Sequence, residues 1–195
     1  MSDIPFSIRP NGISANDVAE SYLTIASATA TYEPIQPAKV YLYAHKTANS
    51  FNLGNLAFVD VINYTIQIQS NVGAFNTGTG VFTAPRNGIY KIEGNIAFYD
   101  PTSTPYLITV DTYIQKKPVG GSFAIEATSF FDNEIGNYNT IVQTLTLKPS
   151  CMLSLNTGDQ IKLSAQVRVG TGTWYIAHNL GSFTKATTLN IYTVD

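Results

Sequence analysis

The 195 residues suffice for one ordinary domain with an arm, long enough to bury a core without metal or disulfide support. Asp, Glu, Lys and Arg together reach only 12%, about half of what an average soluble domain carries, so a Thr/Asn-rich polar face or subunit contacts must cover surface that charge usually covers. A net charge of −2, with no cation run longer than Lys116-Lys117, excludes backbone-driven nucleic-acid binding, and the single cysteine, Cys151, excludes an intrachain disulfide and a Cys-based zinc site.

Residues 1–38 read as an arm or anchor segment leading to a head of residues 39–195. In the arm Arg9 stands alone against Asp3, Asp17, Glu20 and Glu33, a balance that would not draw it to an anionic membrane. Pro5, Pro10, Pro34 and Pro37 suit an extended segment. Ser14 to Ser21 could form a short capped helix, while Tyr22 to Tyr32 also alternates as a strand would, and both stay open. The opening Met1-Ser2-Asp3-Ile4-Pro5-Phe6 lacks the cationic start and apolar core of a secretory signal, so either a signal was removed before residue 1 or the chain is made in a cytosol and delivered by assembly, the expectation that Met1 favours. No apolar run approaches the 18 residues of a membrane-spanning helix.

From Lys39 onward apolar residues recur with period two, interrupted by turn residues, which predicts an all-β sandwich or barrel. Ten strands are expected: Val40 to Ala44, Leu56 to Ile62, Tyr64 to Gln69, Gly88 to Tyr99, Leu107 to Gln115, Phe123 to Phe131, Thr140 to Leu147, Gln160 to Val169, Thr173 to Ala177 and Thr188 to Val194. Residues 76–80, 101–105, 118–121 and 170–172 supply the turns between them. Ile161, Leu163, Ala165, Val167 and Val169 point one way and Lys162, Ser164, Gln166 and Arg168 the other, giving that strand a wet side. Val40, Tyr41, Leu42 and Tyr43, and Leu107 to Ile114, instead place apolar groups on both faces. Such strands need a second cover, from a neighbouring subunit or from tyrosines half-exposed at a sandwich end.

The run Asn71 to Tyr90, with Phe75, Gly80, Phe82, Pro85, Gly88 and Tyr90, closely resembles the signature of the complement component 1q globular-head family, within the tumour necrosis factor-like superfamily. Val110 to Lys117 resembles that family's central strand and hairpin, and Leu153 to Leu163, with Gly158-Asp159 as a tight turn, resembles the opening of a later strand. The resemblance covers residues 39–195. It departs at Ala186 to Tyr192, which lacks the family's closing glycine, and no Gly-X-Y collagen repeat precedes the head. It implies a ten-stranded jelly-roll β-sandwich assembled as a homotrimer with inner sheets around the axis, and Tyr41, Tyr43, Tyr90, Phe98 and Tyr113 are the expected interface residues.

Chemistry finds little footing. His45 and His178 belong to no spaced set of metal ligands, no Gly-x-Ser-x-Gly elbow is present, and Gly78-x-Gly80 and Gly170-x-Gly172 open no helix that could bind phosphate. No catalytic, cofactor or metal residue is therefore assigned. Asp132 and Glu134 lie in the loop Phe131 to Tyr138, where a solvated loop outweighs a calcium site of the kind some relatives hold. Asn63-Tyr64-Thr65 matches a glycosylation sequon but falls in an expected strand, and Cys151 reads as a small packed residue. Two roles remain. One is a non-enzymatic structural component of a virion or other surface particle, such as a minor capsid, fibre or spike-like head, docked to other shell proteins through residues 1–38. The other is an extracellular recognition module whose loops, such as Pro101 to Pro105 and Gly170 to Gly172, bind a host protein or glycan.

Overall fold

The computed structural model describes residues 38–50, 53, 58–101, 106–132, 144–171, 173–180 and 185–194. Residues 1–37 of the arm, loop positions 133–138 and residues 102–105 lie outside the described residues. In chain order the strands are β1 (Tyr41–Lys46), β2 (Phe58–Asp60), β3 (Tyr64–Gln69), β4 (Phe75–Asn76), β5 (Val81–Thr83), β6 (Gly88–Tyr99), β7 (Tyr106–Lys117), β8 (Ala124–Asp132), β9 (Thr144–Leu147), β10 (Ser150–Leu155), β11 (Gln160–Thr171), β12 (Tyr175–Ile176) and β13 (Thr188–Thr193).

Two antiparallel sheets result. The first runs β10-β6-β13-β1-β3, with β9 and β12 added along the distal end of β6, and the second runs β4-β5-β11-β7-β8, with β2 beside β11. Among the described residues every strand pairing is antiparallel and no helix occurs, so the chain is an all-β jelly-roll sandwich. Three strands go beyond the ten expected: β4, β5 and β10, the first two too short for periodicity to show. Residues 170–171 close β11 and do not form a separate turn. Asn63 is corrected as well: it precedes β3 in an exposed turn at φ 62°, with only Tyr64 and Thr65 in the strand.

The core lies between the sheets. Leu42, Ala44, Tyr90, Ile92, Ile96, Phe98, Leu189 and Ile191 from the first sheet meet Phe82, Val110, Ile114, Ile161, Leu163, Ala165 and Val167 from the second. Each side chain withdrawn fully from water contributes on the order of 2 kcal/mol, which is the main force holding the sheets together. The sheets approach closely at Gly94, where a Cβ would stand 3.0 Å from both Leu163 methyl carbons.

The resemblance-bearing residues gather into one knot. Phe75 and Phe82 are register partners on β4 and β5; Phe75 meets Tyr64 edge-on at 5.4 Å and Phe82 meets Tyr90 at 6.0 Å. The Tyr90 hydroxyl donates to the Arg86 carbonyl at 2.8 Å, fixing the bend at residues 85–87 between Pro85 and Gly88, where β6 starts. Ala84 and residues 158–159 then tie β5 to the opening of β11: the Ala84 N–H donates to the Asp159 carbonyl and the Gly158 N–H to the Ala84 carbonyl, each at 2.8 Å.

Gly80 is the narrowest point of the knot. It adopts φ 69°, and a Cβ there would lie 2.1 Å from the Val61 carbonyl oxygen. Left-handed backbone strain and a backbone clash thus act together. Gly80→Ala is expected to destabilise the fold by roughly 3 kcal/mol, measured by urea unfolding; a loss under about 0.5 kcal/mol would show that the turn relaxes freely.

Candidate interaction surface

The faces that the core does not use carry the candidate site. On β1, residues Leu42, Ala44 and Lys46 point inward, leaving Tyr41, Tyr43 and His45 outward. Register extends this parity across the sheet. Met152, Lys91, Tyr192 and Tyr41 stand side by side on β10, β6, β13 and β1, and Ser150, Glu93, Asn190, Tyr43 and Ile68 form the next row.

Six large apolar side chains are exposed on this face: Tyr41, Ile68, Ile89, Met152, Tyr192 and Val194. They make up half of the exposed large apolar residues among those described, so the face is enriched and not merely speckled. Lys185 partly covers Tyr43, with its ammonium 6.0 Å from the ring centroid and 2.9 Å from the Gln67 amide oxygen. Toward the other end the face turns polar. There an open cleft of about 400 Å³ is lined by Glu93, Asn95, Lys148, Ser150, Thr188 and Asn190.

Of the expected interface residues, Tyr41 and Tyr43 lie on this face. Tyr90 and Phe98 do not: both are fully buried, sharing inward parity with Ile92 and Ile96, so they have no surface to offer another copy. Tyr113 is corrected too, because it faces outward from the second sheet, largely covered by Phe58, whose ring stacks on it at 5.0 Å and 19°. Sequence reading missed Ile68, Ile89, Met152 and Tyr192. For Ile89 and Tyr192 the signal was available in strand parity, since they adjoin the core residues Tyr90 and Ile191.

Titratable groups in the head serve structure. Burial alone would raise the Asp159 pKa, but N–H donation from Asn156 at 3.0 Å and Val119 at 3.3 Å, with Lys116 at 3.3 Å, outweighs it and holds the carboxyl below its usual range. Burial, then Glu126, pushes the Cys151 thiol up to about 11, so it is a poor nucleophile at neutral pH. His178 Nδ1 is 2.9 Å from the Asn49 side-chain oxygen, and burial, then Lys185, lowers the His45 pKa. Among the described residues no three His, Cys, Asp or Glu side chains converge as metal ligands.

Lys46 is the unusual charge. It is 1% exposed, its ammonium donates to the Ile62 carbonyl at 2.7 Å, and burial lowers its pKa to about 8. Because the unfolded amine titrates near 10.5, the folded state is penalised fully below about pH 8 and the penalty fades as pH rises toward 10.5. Lys46→Met is expected to raise the melting temperature at pH 7 by several degrees, and by progressively less from pH 8 to 10.5. Calorimetry across that range checks it, and a constant difference would show that the ammonium is not the source.

No protein-family model matches the chain, and no curated protein sequence does. Solved structures do match. Murine APRIL crystallised at pH 5.0 superposes with a TM-score of 0.55 at 11% identity, covering 80% of this chain and 99% of that chain. The globular domain of zebrafish complement 1qA aligns at 12% identity over 80% of this chain and 97% of that one, with a TM-score of 0.48. Eiger TNF from S. frugiperda aligns at 9% identity over 80% and 92%, with a TM-score of 0.49. The likeness to APRIL establishes the fold, a tumour necrosis factor-like jelly roll.

Proposed function

We propose that this chain is a non-enzymatic interaction module that assembles as a homotrimer through the outward face of its first sheet. The concentration of Tyr41, Ile68, Ile89, Met152, Tyr192 and Val194 on that one face carries the reading. Water contact on half-exposed side chains of this size costs on the order of 1 kcal/mol each, and association must offset roughly 4–15 kcal/mol of lost freedom. A ring in which each copy makes two contacts uses the face twice and so exceeds that cost more readily than one contact would. Proteins of the tumour necrosis factor- and complement 1q-like kinds are homotrimers, which favours three copies over two. The low charge content fits an interface whose centre excludes charge.

Light scattering of the full-length protein at micromolar concentration should give three times the 21.2 kDa chain mass. The double variant Met152→Glu, Tyr192→Glu places carboxylates in the centre of the contact and should shift that mass to one chain while circular dichroism stays that of a folded β protein. A wild-type monomer, or a variant that still forms trimers, would overturn the reading.

Within this proposal the head belongs to a virion or other particle surface, and residues 1–38 dock it there. The Pro-punctuated arm, suited to an extended segment, supports that role. Deleting residues 1–38 is expected to leave a trimeric head that no longer enters its particle; unchanged incorporation would favour the extracellular recognition role, which shares the trimer but has no use for a dock.

A further inference from the structure

The second sheet presents a different kind of surface. Register sets Phe58 of β2, Gln166 of β11, Asp111 of β7 and Phe130 of β8 side by side in one row across four strands. With strands about 4.8 Å apart, the two rings are separated by roughly 14 Å. Phe58 is 52% exposed and Phe130 71%, the latter among the most exposed aromatic positions described. Between them stand only a carboxylate and an amide.

The row is held rigid from below. Tyr113, in the neighbouring row, stacks on Phe58, and its hydroxyl lies 3.4 Å from the Gln166 side-chain oxygen. Burial, then the charge and hydrogen bond of Asp111, raises the Tyr113 pKa, so the phenol stays protonated and donates toward those two acceptors. Asp60, in the same row as Tyr113, is engaged by Lys162 at 2.7 Å, and that ammonium also stands 4.3 Å from the Phe123 ring centroid.

We infer that this row is a platform for a neutral linear oligosaccharide lying across the strands. Sugar rings present an apolar C–H face, which the electron-rich faces of Phe58 and Phe130 attract, and hydroxyl groups at their edges, which Asp111 and Gln166 accept. The spacing alternates apolar and polar groups as a saccharide does. A protein partner presenting a continuous apolar patch would strip water from the Asp111 charge, leaving it only its hydrogen bond from Tyr113 among the described contacts, at high cost. A nucleic-acid strand could stack on the rings, but its phosphates would meet Asp111, while of the nearby cations Lys162 is engaged by Asp60 and Arg168 shares its row with Asp132. An acidic polysaccharide meets the same repulsion. The platform lies within one chain and on the sheet that the proposed trimer leaves free, so it stands independently of that assembly.

The test is titration calorimetry of the full-length protein against cellohexaose, xylohexaose, maltohexaose and chitohexaose, with heparin as the acidic comparison. At least one neutral hexasaccharide is expected to bind, and Phe130→Ala and Phe58→Ala are each expected to weaken it at least tenfold. Melting temperature and light-scattering mass are followed on the same samples; Phe130 is too exposed for its loss to unfold the sheet, and an unchanged mass separates this result from any failure of the trimer. Absence of binding to all four at millimolar concentration, preference for heparin, or binding that Phe130→Ala leaves within twofold would overturn the proposal.

Discussion

A strand in a two-layer sandwich has two faces, and the shared core can take only one. Everything particular to this protein follows from how the other faces are covered. In β6 the core takes Tyr90, Ile92, Ile96 and Phe98, leaving Ile89, Lys91, Glu93 and Asn95 outside. In β11 it takes Ile161, Leu163, Ala165 and Val167, leaving Lys162, Ser164, Gln166 and Arg168. The parity is the same, but the chemistry of the leftover faces differs. The first sheet retains an apolar end of Tyr, Ile, Met and Val; the second retains two separated rings with acceptors between them.

The knot around Gly80 and Asp159 makes this division possible. It joins the β4–β5 hairpin to the start of β11 through two backbone hydrogen bonds and packs Phe82 on Tyr90, so the two sheets are locked in register at one end. The signature residues Phe75, Gly80, Phe82, Tyr90, Gly158 and Asp159 therefore build the scaffold, while Ile89 and Asp111, within the same resembling runs, face the candidate surfaces. Specificity resides elsewhere, on faces where substitution leaves the core intact.

Much of the fold was legible because turn residues bracket alternating runs: Tyr64 to Gln69 and Gly88 to Tyr99 emerge with their expected bounds. The bounds of β4, β5 and β10 could not be read that way, since two or three residues show no period and Ser150 to Leu155 follows β9 after only Lys148 and Pro149. The candidate surface was half legible. Tyr41 and Tyr43 were identifiable because they alternate with Leu42 and Ala44. Tyr90 and Phe98 were misplaced because aromatic character was weighed above parity. Lys46 shows the limit of parity itself, for a lysine at an inward position reads as the end of a strand, yet this one is buried with its ammonium on the Ile62 carbonyl. The pairing of Phe58 with Phe130 was not legible at all: it depends on β2, β11, β7 and β8 lying adjacent, and chain order does not reveal that neighbourhood.

The central claim is that one outward face is covered by copies of itself and the other is not. Hydroxyl-radical footprinting of the native protein reads both at once, because Met152 and Phe130 have similar exposure in the single chain, 64% and 71%. Relative to the same residues in the urea-unfolded chain, Met152 should be strongly protected while Phe130 is labelled freely. Equal labelling of the two would contradict the account.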